Sequence, residues 1–155
     1  MFNKKKKIEI IAFGKSRNSE FYHALQEFEK RLSKIVNIIE LPAIKGDSPE
    51  EILTKEEKIL KTYFLDNNFK IILDNQGQEF SSQEFTKKLT NLNTHHKKIT
   101  FFIGSSFGFA KNIKKQADML LSLSKMTMPH MMARLILIEQ IYRATTIKQG
   151  HPYHK

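Results

Sequence analysis

Five short apolar runs, each followed by a stretch with helical spacing, leave this chain few ways to fold. The runs are residues 7–13, 35–41, 69–74, 98–103 and 119–124. A short apolar run bounded by turn signals reads as a strand buried on both faces. Strands alternating with helices predict a largely parallel sheet covered by helices, an α/β fold. At 155 residues the chain can bury a real core. No repeat, low-complexity linker or internal boundary interrupts it, so residues 1–155 are expected to form a single domain.

The intervening segments carry their own signals. Over residues 18–33, Phe21, Leu25, Phe28 and Leu32 recur at spacings of four, three and four, one face of a helix. A second helix is expected over residues 49–65, opened by Pro49 and capped by Asp47 or Ser48. Ile52, Ile59 and Tyr63 mark its inner side, and Glu50, Glu51, Lys55, Glu56, Glu57 and Lys58 its solvated face. The run at 69–74 is expected to end in an exit turn at Asn75-Gln76-Gly77. Residues 82–92 and 110–117 read as two further helices. The last helix should open at Pro129 and run to about Lys148, with Gly150 just beyond its end. Met131, Met132, Leu135, Ile136, Leu137, Ile138, Ile141 and Tyr142 leave it little polar face. A helix apolar nearly all round is buried on both sides. One side packs on the sheet; the other packs within the chain or on a second subunit. Because twofold dimers dominate among oligomers, a homodimer is the expectation.

Charge and composition narrow the function. The net charge is +10, which suits a polyanionic partner. The excess is concentrated: residues 111–155 carry eight Lys or Arg against Asp118 and Glu139, a net of +6, and two of the four arginines. Without cysteine there is no disulfide framework, thiol nucleophile or thiolate metal site. No apolar run approaches the roughly 20 residues that span a bilayer. Lys4 to Lys7 could begin a signal peptide, but the following run contains Glu9 and is too short. A cytoplasmic protein with no membrane partner is expected.

Two strand ends draw the chemistry together. Phe101-Phe-Ile-Gly-Ser-Ser-Phe-Gly108 and Leu121-Ser-Leu-Ser-Lys-Met-Thr-Met-Pro-His130 each take an apolar run into a loop of small and polar residues before a helix. In open α/β sheets, ligands collect beyond the carboxyl ends of strands. Gly104-Ser-Ser-Phe-Gly108 lacks the G-x-G-x-x-G dinucleotide pattern. Gly14-Lys15-Ser16-Arg17 lacks the glycine spacing of a P-loop. Ser105 or Ser106 with His130 and Asp74 could form a hydrolase triad, but no G-x-S-x-G elbow is present. His151, His154 and His130 lack an obvious carboxylate partner for a metal site. What fits is a glycine loop beside an apolar loop, with Leu123, Met126 and Met128 lining an adenine slot. Arg134, Arg143, His130, Tyr153 and His154 lie beside it in sequence, suited to an anionic polymer. An adenosyl cofactor on one side and RNA on the other describe an RNA methyltransferase.

At these residues the chain resembles the RlmH (YbeA) family of the SPOUT superfamily. The matching segments are Gly14-Lys15, Glu29-Lys-Arg-Leu32, Leu73-Asp74 with Gly77, and Phe102-Ile-Gly104 with Gly108. Longer matches follow: Leu121-Ser-Leu-Ser-x-Met-Thr-x-Pro-His130, Arg134, Glu139-Gln-Ile-Tyr-Arg-Ala144 and Gly150-His-Pro-Tyr-His-Lys155. The resemblance covers the whole chain. It implies a parallel sheet with a C-terminal deep trefoil knot, and a homodimer with the site at the subunit interface. It also implies S-adenosylmethionine as cofactor, held by Leu73, Gly104 and Leu123, Ser124, Lys125, Met126, Thr127 and Met128. The implied reaction is methylation of N3 of a pseudouridine in 23S rRNA, within the ribosome. The family usually carries a second glycine after Gly104 and an acid before Gly108; here those positions hold Ser105 and Phe107.

Methyl transfer to an imide nitrogen requires that nitrogen to lose its proton, and a nearby cation stabilises the anion that develops. Arg143 and Arg134 are candidate cations. His154 or His130 is a candidate base, and Tyr153 can stack on or bond to the RNA base. Arg143 also stands four residues after Glu139, the spacing of a helix-face ion pair. Two other readings stay open: a SPOUT methyltransferase for another RNA, and a ribosome-associated RNA-binding protein without catalysis.

Overall fold

The computed structural model describes residues 8–64, 67–96 and 98–155. Lys4 to Lys7 and Leu65, used in the sequence reading, lie outside them. The chain runs β1 (Ile8–Phe13), a single 3-10 turn (Ser16–Asn18), α1 (Tyr22–Leu32), β2 (Val36–Leu41) and α2 (Pro49–Phe64). It continues through β3 (Phe69–Gln78), α3 (Ser82–His95), β4 (Ile99–Ile103), α4 (Lys111–Gln116), β5 (Met119–Leu121) and α5 (His130–Lys148). The strands form one sheet in the order β2-β1-β4-β3-β5, with every neighbouring pair parallel.

The pleat divides each central strand between two cores. Ile8, Ile10 and Ala12 of β1 and Phe101 and Ile103 of β4 pack with α1, α3 and α5. Ile11, Phe13 and Phe102 point the other way, toward Leu60 of α2 and Ile113 of α4. Both strands are buried along their whole length, which is why they read as apolar runs broken only by Glu9, paired with Asn37 and Lys98, and Thr100, which accepts from Asn68.

Side-chain caps start two of the helices where the sequence places them. Ser48 Oγ accepts from the Glu51 N–H at 3.2 Å ahead of α2. Ser81 and Glu84 form a reciprocal capping box ahead of α3. α1 begins at Tyr22 rather than 18, because Ser16–Asn18 first close a 3-10 turn.

Three expectations need correction. Glu56 is not on a solvated face: it is 2% exposed, in the same i, i+4 row as Ile52 and Leu60. β3 does not end at Asp74. It runs to Gln78, with Leu73 and Gln78 both paired to Leu121 and the intervening residues bulged out. Gly77 permits this, since a Cβ there would lie 2.6 Å from the Leu120 carbonyl group. β5 ends at Leu121, three residues earlier than expected, and residues 122–129 form a loop.

α5 lies against β4 with α1 and α3 on either side. Leu137, Ile138, Ile141 and Ala144 are buried in the core, so much of its apolar circumference is satisfied within the chain. Met131, Met132, Leu135 and Ile136 remain only half-buried. Among the described residues, no helix is long and apolar enough to cross a membrane.

Candidate functional site

A cleft of about 630 Å³ opens at the carboxyl ends of β3, β4 and β5. Its floor and walls are Leu73, Ile103, Leu121, Leu123 and Met128, bordered by the loop at 104–108 and the loop ahead of α5. The first loop folds back tightly: Ser105 and Gly108 form a bridge, and Gly108 adopts φ +73. Gly104 must be glycine there, because a Cβ would sit 2.5 Å from the Gly108 carbonyl oxygen. Phe107 and Met126, the large apolar side chains most exposed in the described chain, both border the cleft.

Beneath the first loop, burial pushes the Glu56 carboxyl above its ordinary value. Neither Glu56 Oε1 nor Ser105 Oγ has a partner in hydrogen-bond geometry, yet the hydroxyl is near enough to oppose part of that rise. Ser105 is therefore turned toward α2. Asp74 binds Lys114 at 2.5 Å and accepts from the Gln76 N–H at 2.9 Å. Ser105, Ser106, Asp74 and His130 all border the cleft. Asp74, however, is engaged by Lys114 and Gln76, and among the described residues no hydrogen bond joins His130 to either serine or to Asp74. The hydrolase triad drawn from Ser105 or Ser106, His130 and Asp74 therefore does not assemble. Among the described residues, no group of three or more His, Asp or Glu side chains could hold a metal ion.

His130, the first residue of α5, closes one end of the cleft. Its Nε2 lies 3.5 Å from where a Cβ on Gly14 would stand, an ordinary contact distance, so it is the φ of +88 at Gly14 that favours glycine there. Burial, and then the Arg134 cation, hold His130 below the ordinary histidine value. Both causes favour the neutral imidazole over the cation. Arg134 is placed differently from the sequence expectation. It is 1% exposed, bonded to Glu40 at 2.7 Å and within 3.8 Å of Glu29. That guanidinium ties α5 to β2 and α1 and does not face solvent, where an RNA backbone would lie.

Arg143, Tyr153 and His154 are brought together at the other end of α5. Glu139 Oε1 accepts from Arg143 Nε at 3.0 Å, from Arg143 Nη2 at 2.6 Å and from the Tyr153 hydroxyl at 3.0 Å. Arg143 stacks over the Tyr153 ring, 4.9 Å from its centroid. Burial, and then the bond to Glu139, hold the Tyr153 phenol above its ordinary value, so it stays protonated. Arg143 Nη1 donates to His154 Nδ1 at 3.2 Å. An arginine can only donate, so His154 carries its proton on Nε2. The tail reaches this position through Gly150, whose φ of +66 lets the Gly150 and His151 N–H groups bond to Ile147 and Thr146.

The sequence that builds this fold and cleft matches a known group of proteins. Residues 6–154 fit a family model described as "Predicted SPOUT methyltransferase". The chain belongs to the SPOUT methyltransferase family. Within it, the chain is similar to proteins named ribosomal RNA large subunit methyltransferase H. The one from Lactobacillus delbrueckii subsp. bulgaricus is 41% identical over 157 residues, covering 96% of this chain and 99% of its own. Those from Dictyoglomus thermophilum and Streptococcus gordonii are 43% and 39% identical, each covering at least 95% of this chain and 98% of their own.

The residues expected to hold a cofactor in this SPOUT chain converge with one exception. Leu73, Gly104, Leu123, Ser124, Met126, Thr127 and Met128 all line the cleft; Lys125 is exposed and does not line it. Sequence reasoning passed over two residues. Glu139 appeared only as a helix-face partner of Arg143, yet it also receives Tyr153. Lys114 gave no sequence signal, since a lysine in a short helix reads as solvated. The cleft is in the size range that takes small cofactors. Its apolar slot, loop backbone groups and one ion pair fit the base, edge and charged tail of an adenosyl cofactor.

Proposed function

We propose that this SPOUT protein transfers a methyl group from S-adenosylmethionine to N3 of a pseudouridine in 23S rRNA. It would act as a homodimer on the assembled ribosome, in the cytoplasm. The observation that carries the reading is the separation of two functional clusters along α5. His130 lines the cleft, whereas Arg143 follows thirteen residues later, about 20 Å along a straight helix. One chain cannot bring both to the same reacting atom. A twofold pairing of α5 helices can set Arg143, Tyr153 and His154 of one subunit beside the cleft of the other. The half-buried Met132, Leu135 and Ile136 offer that pairing an apolar face.

When bound, S-adenosylmethionine supplies a methyl group activated by its sulfonium. Leu73, Leu123 and Met128 would enclose its base, and the Gly104 loop would approach without side-chain obstruction. His130, neutral near pH 7, would take the proton from the imide nitrogen of the RNA base. The Arg143 cation, oriented by Glu139, would stabilise the anion that develops, and Tyr153 would stack on or bond to the base. Arg134 supports the fold in this scheme and touches no substrate. A C-terminal trefoil knot accompanies the reading. Family membership is its warrant, since packing rules alone disfavour threaded chains. The close crossing of Gly77 over Leu120 and the bond from Ser122 N–H to the Gln78 carbonyl are compatible with it.

The test is methyl transfer from labelled S-adenosylmethionine to whole ribosomes, separated large subunits and naked rRNA from cells lacking this protein. Label on ribosomes, mapped to a pseudouridine of 23S rRNA, is the expected result. Cofactor binding with no label on any substrate would point to another RNA. Absence of both would favour an RNA-binding protein without catalysis. Arg143→Ala should bind the cofactor normally and lose methylation at least a hundredfold; unchanged methylation would sink the role given to Arg143.

A further inference from the structure

Among the described residues that line the cleft, Asp74 is the only acid and Lys114 the only lysine or arginine. They are paired to each other at 2.5 Å. Asp74 is nearly enclosed, with its side chain 7% exposed, and its other oxygen is taken by the Gln76 N–H. Lys114 keeps 31% of its side chain exposed. An ammonium has three donors, and Asp74 uses one. The remaining N–H groups are free to meet an anion at the cleft without breaking the pair. α4 holds the base of this lysine firmly, since Ile113, next to it, is fully buried.

We propose that Lys114 is the group that recognises the carboxylate of the cofactor's amino-acid tail, with Asp74 as its positioning residue. This rests on the adenosyl-cofactor reading above. S-adenosylmethionine carries three charges besides its neutral adenosine: a sulfonium, an ammonium and a carboxylate. An unpaired lysine in the cleft would repel the sulfonium. Lys114 held against Asp74 adds no net charge, yet still presents N–H donors to the carboxylate. The pair thus separates two tasks, accepting an anionic tail and tolerating a cationic centre.

Binding to the full-length protein is the test, measured by calorimetry with S-adenosylmethionine, its decarboxylated analogue and methylthioadenosine, which lacks the tail. Wild type should prefer S-adenosylmethionine to the decarboxylated compound by about tenfold, the contribution of one charge-assisted hydrogen bond. Lys114→Gln can still bond to Asp74 but is neutral; it should reduce that preference to within about twofold and leave methylthioadenosine affinity unchanged. Lys114→Arg, which retains the charge, should retain a preference. Equal binding of the two sulfonium compounds by wild type would overturn the assignment to Lys114 alone. A preference that survives in Lys114→Gln would do the same. If wild type bound none of the three, the cofactor reading would fail and this inference with it.

Discussion

A single buried carboxyl shows how a residue can contradict its own chemical type. Glu56 stands in a run of charged residues, and composition places it in water. The helical row it shares with Ile52 and Leu60 places it inside, and the row prevails. Its raised pKa sets the sign of a pH effect. The native state favours the protonated carboxyl, so its contribution to stability is complete below the unfolded value of 4.5 and declines as pH rises through the folded value. Glutamine has the shape of the protonated acid and cannot ionise. Glu56→Gln is therefore expected to raise stability at pH 8 by about 1 kcal/mol, or roughly 2–4 °C in Tm, with no gain at pH 4. Thermal unfolding at the two pH values checks this; a loss of stability at pH 8 would show that the ionised carboxyl has a partner it needs. Arg134 misleads in the same direction. It reads as a free cation because Glu40, ninety-four positions away, and Glu29 come to it only through the fold.

At the scale of elements, the strands were legible and their ends were not. β1 and β4 are legible because parallel strands buried on both faces take apolar residues at nearly every position, Glu9 and Thr100 being the exceptions. β3 was cut short because Asn75, Gln76 and Gly77 are turn residues. They do turn, but as a bulge inside a strand that resumes pairing at Gln78. The end of α5 was legible for a physical reason as well: Gly150 adopts a left-handed conformation that other residues reach only at a cost. No atom lies within 4 Å of a Cβ built there, so the cost of Gly150→Ala is in the backbone alone, about 1 kcal/mol. The substitution is expected to loosen the tail that carries Tyr153 and His154. Methylation should fall by about tenfold while cofactor affinity stays within twofold, because the cleft does not include the tail. Steady-state kinetics beside calorimetry would test this, and equal losses in both would mean that the tail supports the cleft itself.

For the whole molecule, the question is how residues at opposite ends of α5 serve one reaction. Leu73, Gly104, Leu123 and Met128 line the cleft, while Arg143, Tyr153 and His154 cluster near the far end of the helix. Both groups and the apolar helix between them stand in the sequence; their separation along α5, which underlies the proposed crossing from one subunit to the other, comes only with the fold. Subunit mixing tests the crossing directly. Arg143→Ala keeps its cleft and loses its cation; Gly104→Val fills the tight turn of the loop and should lose the cofactor, since even a Cβ there meets the Gly108 carbonyl at 2.5 Å. Each variant alone should be nearly inactive. If sites are built across a twofold interface, a mixed dimer contains one site with both defects and one with neither. After random exchange half the dimers are mixed, so activity should recover to about a quarter of wild type. If each chain builds its own site, every site in every dimer carries a defect, and mixing restores nothing. Recovery near a quarter would establish both the dimer and the shared site; a mixture as inactive as its parents, with exchange confirmed by mass, would confine the chemistry to a single chain.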